Sequence, residues 1–177
     1  ESTWADESEF LPPQTTDPIQ NYGNKVCGGD LPEVFRRSCN TPFARTAIEL
    51  GPEKMVAAAK KFGIGETIPF DLPHSASSQF GDVDYFNQNL PLLGIGGFGQ
   101  GNTQMVPLHM AMVTASIAHG GVMMKPFVIG ATYDHDGGVL QRTVPTVWKT
   151  PMTPATSTLL TELMVGVVNE GTARCCM

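Results

Sequence analysis

Apolar residues recur at helical spacing in several stretches of this chain and alternate at strand spacing in two. Asp30 precedes the first helical stretch and Glu33 follows three residues later, the spacing of a capping box, which predicts a helix over 31–37. Ser38-Cys39-Asn40 ends that helix. Thr41 then reads as a second N-cap, with Pro42 at a first helical position where a missing N–H costs nothing. The helix so begun spans 42–50 and is closed by Gly51. Pro52 opens a third, with Met55, Val56, Ala59 and Phe62 on one stripe and Gly63 as its C-cap. Pro107 opens a helix to His119 in which Leu108, Ala111, Met112, Ala115 and Ala118 form one stripe. Met110, Val113 and Ile117 lie off that stripe, so this helix is apolar on most sides and is expected to be buried. Thr153 and Pro154 start a last helix, where Leu159, Leu160, Leu163, Met164, Val167 and Val168 keep the helical repeat.

The strand signals are Phe127 to Tyr133 and Val139 to Thr143, joined as a hairpin by Asp134-His135-Asp136-Gly137-Gly138. Residues 1–29 are rich in turn formers (Pro12, Pro13, Pro18, Gly23, Gly28, Gly29) and read as loop with room for one short strand. Residues 64–104 are rich in Gly, Pro, Ser and Asn and show little periodicity. A structureless stretch of that length inside a compact domain is uncommon and often functional. Helices are expected to outnumber strands, and no internal repeat is visible.

Composition narrows the function classes. The 177 residues suffice for one domain, and an apolar content of 41% supplies a core. A formal charge of −6 with no run of Lys and Arg argues against a nucleic-acid partner. No stretch approaches the ~20 apolar residues of a membrane span, and no basic-then-apolar signal segment is present. Of the four cysteines, Cys175 and Cys176 are adjacent and poorly placed to pair with each other. Cys27 and Cys39 meet if the helix between them folds back; otherwise they are two buried thiols. No C-x-x-C pair exists and the histidines are scattered, which argues against zinc.

The most informative candidate chemistry is Ser38-Cys39-Asn40, a hydroxyl and a carboxamide set in a tight turn between two helices and expected to face the same way into one groove. Rigid support on both sides suits proton transfer and amide recognition. Taken alone, the tripeptide is as readily explained by helix capping. Three other features carry less. Gly94-Ile95-Gly96-Gly97-Phe98-Gly99 fits G-x-G-x-x-G literally but lacks the strand, helix and acid of a dinucleotide site. Asp134-His135-Asp136 reads as a solvated hairpin tip, and His119 as a favourable residue at a helix C-terminus.

The segment Ser38-Cys39-Asn40-Thr41-Pro42-Phe43-Ala44 resembles the second active-site motif of class B penicillin-binding proteins. Further phrases follow in that family's order. They are Phe62-Gly63 at a helix end, Phe98-Gly99-Gln100-Gly101 before Pro107-Leu108-His109-Met110-Ala111, and Ile117-Ala118-His119-Gly120-Gly121 with His in place of the family's Asn. Lys125-Pro126, the hairpin, the last helix and Gly171-Thr172-Ala173 complete the series, so the resemblance, of actinobacterial type, covers residues 22–173.

That resemblance implies a mixed α/β (α+β) fold of the β-lactamase/transpeptidase kind, of which this chain is expected to hold mostly the helical part with a short hairpin. It implies peptidoglycan D,D-transpeptidation through an acyl-enzyme, with stem peptides and β-lactams as ligands, cell-wall synthesis or division proteins as possible partners, and no cofactor. The parent would be membrane-anchored, working at the extracytoplasmic face of the bacterial cytoplasmic membrane. Ser38 would relay protons, Asn40 would hold the substrate amide, and Phe98, Gly99 and Gln100 would border the cleft. The family also uses Ser-x-x-Lys, which provides the nucleophile, and Lys-Thr-Gly. Neither occurs here; Lys149-Thr150-Pro151 comes nearest and reads as loop leading to a helix cap. Residues 1–177 are therefore expected to be a partial transpeptidase domain, inactive alone and of poor stability for want of its sheet. Two other classes compete with an enzyme fragment: a non-catalytic module binding peptidoglycan or a partner, and an unrelated helical interaction protein.

Overall fold

The computed structural model describes residues 2–73 and 75–176. Glu1, His74, Met177 and the Cys176 side chain lie outside the described residues, and with them the expected lack of pairing between Cys175 and Cys176. Four strands occupy the first thirty residues: β1 (Thr3–Glu7), β2 (Glu9–Phe10), β3 (Ile19–Gln20) and β4 (Cys27–Asp30). β1 pairs with β4 and β2 with β3, both antiparallel. The expected loop is thus replaced by two small ribbons. Strands of two to five residues are too short to display an alternation that periodicity could detect.

Asp30 ends β4 and caps α1 (Leu31–Arg36), accepting the Glu33 N–H at 2.9 Å, as the capping-box spacing predicts. The helix α2 (Asn40–Lys61) contains both expected helices in one element, broken at Gly51, whose φ of 81° and ψ of 164° lie outside helical space. Pro52 follows, and its missing N–H makes the break permanent. Beyond α2, Gly63 adopts a φ of +82° directly under Trp148, where a Cβ would stand 2.5 Å from the indole.

Residues 64–104 hold two short helices that their composition conceals: α3 (Val83–Gln88) and α4 (Leu90–Gly96). The Asp82 carboxylate caps α3 by accepting the Tyr85 N–H at 2.8 Å. Phe86 and Leu93 then enter one core with Ala47 and Val56 of α2, which supplies the burial that holds two helices too short to persist alone.

The helix α5 (Pro107–Ala118) starts at its proline as expected, but its buried face differs from the predicted stripe. His109, Met112 and Ser116 point inward, while Ala111, Ala115, Ala118 and Met110 are exposed. Hydrogen bonds reverse the hydrophobic expectation. The His109 ring bonds the Ser78 hydroxyl at 2.9 Å and the Phe62 carbonyl at 2.8 Å, so both polar side chains are satisfied inside. After α5 come β5 (Met123–Met124), the hairpin β6 (Ala131–Tyr133) and β7 (Val139–Arg142), and β8 (Val147–Lys149), which pairs with β5. Lys149 therefore ends a strand rather than lying in loop, and its ammonium pairs with Glu66 at 2.8 Å. The last helix, α6 (Pro154–Glu170), packs on α1 and α5 and buries Ser157 and Leu163.

Among the described residues six α-helices accompany eight strands, so helices do not outnumber strands by count. Helices nevertheless carry most of the ordered chain, because no strand exceeds five residues and no sheet exceeds two strands. The ribbons β1–β4, β2–β3 and β5–β8 lie against helices that complete their cores, while the β6–β7 hairpin projects into solvent. The three buried clusters centre on Val56, Phe86 and Leu93, on Cys27, Val34 and Cys39, and on Ile68, Met112 and Met123.

Candidate functional site

The corner between α1 and α2 is built by backbone geometry. The N–H groups of Ser38 and Cys39 donate to the carbonyls of Phe35 and Val34 at 3.1 and 3.0 Å, which closes the last turn of α1. Closing that turn places Ser38 in the left-handed region with φ of 56°, a conformation uncommon for a residue with a side chain. The chain then turns extended at Cys39 and enters α2. Ser38 is exposed, Cys39 is buried and joined to Cys27 by a disulfide, and Asn40 is half-buried. The open choice between disulfide and buried thiols is thereby decided.

Thr41 does not cap α2. It is the second residue of the helix and is fully buried, and the cap comes from elsewhere. The Asn21 carboxamide oxygen accepts the N–H groups of Asn40 and Thr41 at 2.8 and 3.0 Å. The Asn40 carboxamide nitrogen donates to the Gln20 carbonyl at 2.9 Å.

Ser38 and Asn40 flank the buried Cys39 and line two different cavities. Ser38 shares one of about 520 Å³ with Tyr22, Lys25, Arg36, Arg37 and Thr172. Thr172 brings the Gly171-Thr172-Ala173 phrase to the serine, held by the Thr172 N–H donating to the Arg36 carbonyl at 3.3 Å and by an Arg36–Glu170 ion pair at 2.9 Å. The Arg37 guanidinium in that wall is held by Glu33 at 3.2 Å and by the Val26 carbonyl at 2.8 Å.

Asn40 lines a second cavity of about 390 Å³ with Gln20, Pro91, Ile95, Phe98 and Gln100. Two of the three loop residues singled out in the sequence, Phe98 and Gln100, thus meet Asn40. Gly99 is exposed at the turn between them, with φ of 79°, and is not part of the wall. The contact is made possible at Gly97, where α4 ends against α2. A Cβ there would stand 2.5 Å from the Ala47 Cβ and 2.8 Å from the Phe43 carbonyl, so only glycine allows the approach that delivers Phe98 and Gln100.

Residues that sequence reasoning passed over hold this corner. Arg45 of α2 grips the Glu7 carboxylate at 2.8 and 3.1 Å and stacks over Phe10 at 4.4 Å, tying both N-terminal ribbons to the helix. Asn21 is buried and donates to the Glu7 carbonyl. Neither belongs to a recognisable phrase; their partners are distant in sequence, so only the folded chain reveals them.

The Asp134-His135-Asp136 tip lies outside both cavities of this corner. The Asp134 carboxylate accepts the Asp136 and Gly138 N–H groups at 2.9 and 2.7 Å, as a hairpin turn requires. The G-x-G-x-x-G match lies on α4 and the turn after it, preceded by α3 rather than by a strand. Among the described residues no group of three His, Cys, Asp or Glu side chains gathers to hold a metal, and no helix is long and apolar enough to cross a membrane.

Comparison with known proteins gives a consistent result. Residues 3–175 match the family model described as the penicillin-binding protein transpeptidase domain. Peptidoglycan D,D-transpeptidase PbpA of Mycobacterium tuberculosis is 32% identical over 159 residues, covering 87% of this chain and 31% of that protein. PbpA of Mycolicibacterium smegmatis is 29% identical over 160 residues, covering 86% of this chain and 31% of its own length. The chain thus spans under a third of these relatives. The crystal structure of PBPA from M. tuberculosis superposes with a TM-score of 0.87 at 29% identity, over 94% of this chain and 39% of that one. Its penicillin G acyl-enzyme complex gives 0.84 at 28% identity, over 97% and 40%.

Proposed function

This chain belongs to the penicillin-binding protein transpeptidase family, and on that premise we propose that it supplies the Ser-x-Asn corner of a peptidoglycan D,D-transpeptidase. Its fold is the mixed α/β, β-lactamase/transpeptidase-like one. The observation that carries the proposal is the corner itself. Ser38 is exposed on a backbone closed by two hydrogen bonds, and Asn40 is fixed by its neighbours at a cavity shared with Phe98 and Gln100.

In this reading the Ser38 hydroxyl, both donor and acceptor, passes a proton between the attacking serine and the leaving amine. Asn40 spends one N–H on the Gln20 carbonyl. The other N–H and the oxygen remain for the amide of a stem peptide or a β-lactam. Phe98 and Gln100 border the bound peptide. The work is done at the extracytoplasmic face of the membrane, where an oxidising environment suits the Cys27–Cys39 disulfide.

The 177 residues contain no Ser-x-x-Lys and no Lys-Thr-Gly. Loss of the nucleophile in a serine hydrolase costs about 10⁶-fold, so the chain alone forms no acyl-enzyme. Intact-mass measurement after incubation with penicillin tests this: no adduct is expected, and a gain of one β-lactam mapped to a serine overturns it. In a transpeptidase carrying this segment together with both missing motifs, Ser38→Ala and Asn40→Ala should each slow acylation; unchanged rates in both would remove the assignment of the corner.

A further inference from the structure

The loop after β3 contributes nothing to the family phrases, yet it fixes the candidate site from beneath. Asn21 is 4% exposed. Its Oδ1 accepts the Asn40 and Thr41 N–H groups, two of the donors that a helix leaves unpaired at its start. Its Nδ2 donates to the Glu7 carbonyl at 2.9 Å and to the Lys25 carbonyl and Thr41 hydroxyl at 3.1 Å each. Its own N–H donates to the Ser8 carbonyl at 3.1 Å. One side chain therefore ties the end of β1, the loop 21–25 and the first turn of α2 together, and the residue before it, Gln20, receives the Asn40 carboxamide.

We propose that Asn21 is a positioning residue of the transpeptidase site, setting where α2 begins and hence where the Asn40 carboxamide and the Ser38 hydroxyl stand. The inference rests on the reading of Ser38 and Asn40 given above. The demand on residue 21 is specific. The oxygen must face two N–H groups, and the nitrogen must face two carbonyls. Aspartate would turn a second acceptor onto the Glu7 and Lys25 carbonyls and bury a charge, while alanine would leave the Asn40 and Thr41 N–H groups without their cap. Asn21 touches no reacting atom in this reading; it acts through Asn40, and a displacement of about 1 Å in a positioned group can cost on the order of 10²-fold in rate.

The test uses an intact transpeptidase carrying this segment with the Ser-x-x-Lys and Lys-Thr-Gly motifs. Acylation by a fluorescent penicillin is resolved into non-covalent affinity and acylation step for wild type, Asn21→Ala, Asn21→Asp, Ser38→Ala, Asn40→Ala and Val56→Ala. Val56 is equally buried but lines neither cavity of the corner, so its truncation serves as the control for destabilisation. At equal folded fraction, Asn21→Ala and Asn21→Asp should slow the acylation step about 10- to 100-fold, with Val56→Ala near wild type. Wild-type acylation in a folded Asn21 variant, or equal losses in Asn21→Ala and Val56→Ala, overturns the proposal. If both Asn21 variants fail to fold, Asn21→Ser is read in their place by the same criteria. Slowing by Ser38→Ala and Asn40→Ala but not at Asn21 sinks this inference alone; no slowing by any of the three sinks the site assignment itself.

Discussion

Cys27 and Cys39 are bonded to each other across a Cα–Cα distance of 5.8 Å, and the twelve-residue separation between them contains the whole of α1. Cys39 is also the middle residue of the Ser38–Asn40 corner, so the crosslink and the candidate chemistry share a backbone. In the chain-entropy account, closing a loop of this length stabilises by about 3 kcal/mol. Reduction should lower the denaturation midpoint accordingly. Equilibrium unfolding with and without a dithiol checks it, and coincident curves would contradict the expectation.

Gly97 sits where α4 meets α2, and a methyl group there collides with Ala47 and with the Phe43 carbonyl. The neighbour that must yield includes backbone, so the helices separate rather than a side chain rotating aside. Gly97→Ala should cost about 1–3 kcal/mol and move Phe98 and Gln100 away from Asn40. Thermal unfolding measures the first, and chemical-shift changes at Asn40 measure the second.

His109 joins Ser78 to Phe62 in the interior. The Phe62 carbonyl can only accept, so Nε2–H donates to it, and in that neutral tautomer Nδ1 accepts from the Ser78 hydroxyl, whose oxygen also accepts the Val106 N–H at 3.0 Å. Truncation to alanine leaves a cavity and strands that carbonyl, at a cost of about 2–5 kcal/mol. Denaturant titration of His109→Ala is the measurement, and a loss below 1 kcal/mol would show that water repairs the network.

Ile117 and Ala118 of α5 face Met164, Val165 and Val168 of α6 across an open apolar groove. With Leu159 also exposed, α6 turns an apolar face to solvent beside this groove. The chain is expected to bind a hydrophobic dye and to self-associate as concentration rises. Val165→Lys should reduce both. Light scattering checks the outcome, and a monomeric chain with a cooperative thermal transition would count against it.

The parts legible in the sequence were those marked by local chemistry. Asp30, Pro52, Pro107, Pro154 and Gly63 punctuate helices whether or not the rest of the chain is present, so those boundaries could be read directly. Ser38 and Asn40 were found through a phrase, and the structure separates them into neighbouring cavities where one shared groove was expected. What escaped depends on partners far away in sequence. Thr41 looked like a cap because its type fits, but Asn21, twenty residues earlier, supplies that bond. The buried face of α5 was misread because His109 and Ser116 are polar by composition and satisfied only by their surroundings. The strands of the first thirty residues are too brief to carry a period, whereas β6 and β7 were legible from the turn between them.

The break at Gly51 divides the longest helix into two lengths with no continuous hydrogen-bond ladder between them. The upstream length abuts the Ser38–Asn40 corner, and the downstream one leads to the Gly63 seat beneath Trp148. Fraying from either end can therefore stop at the joint, while the core that Ala47 upstream and Val56 downstream share with Phe86 and Leu93 keeps the two lengths in one cooperative unit.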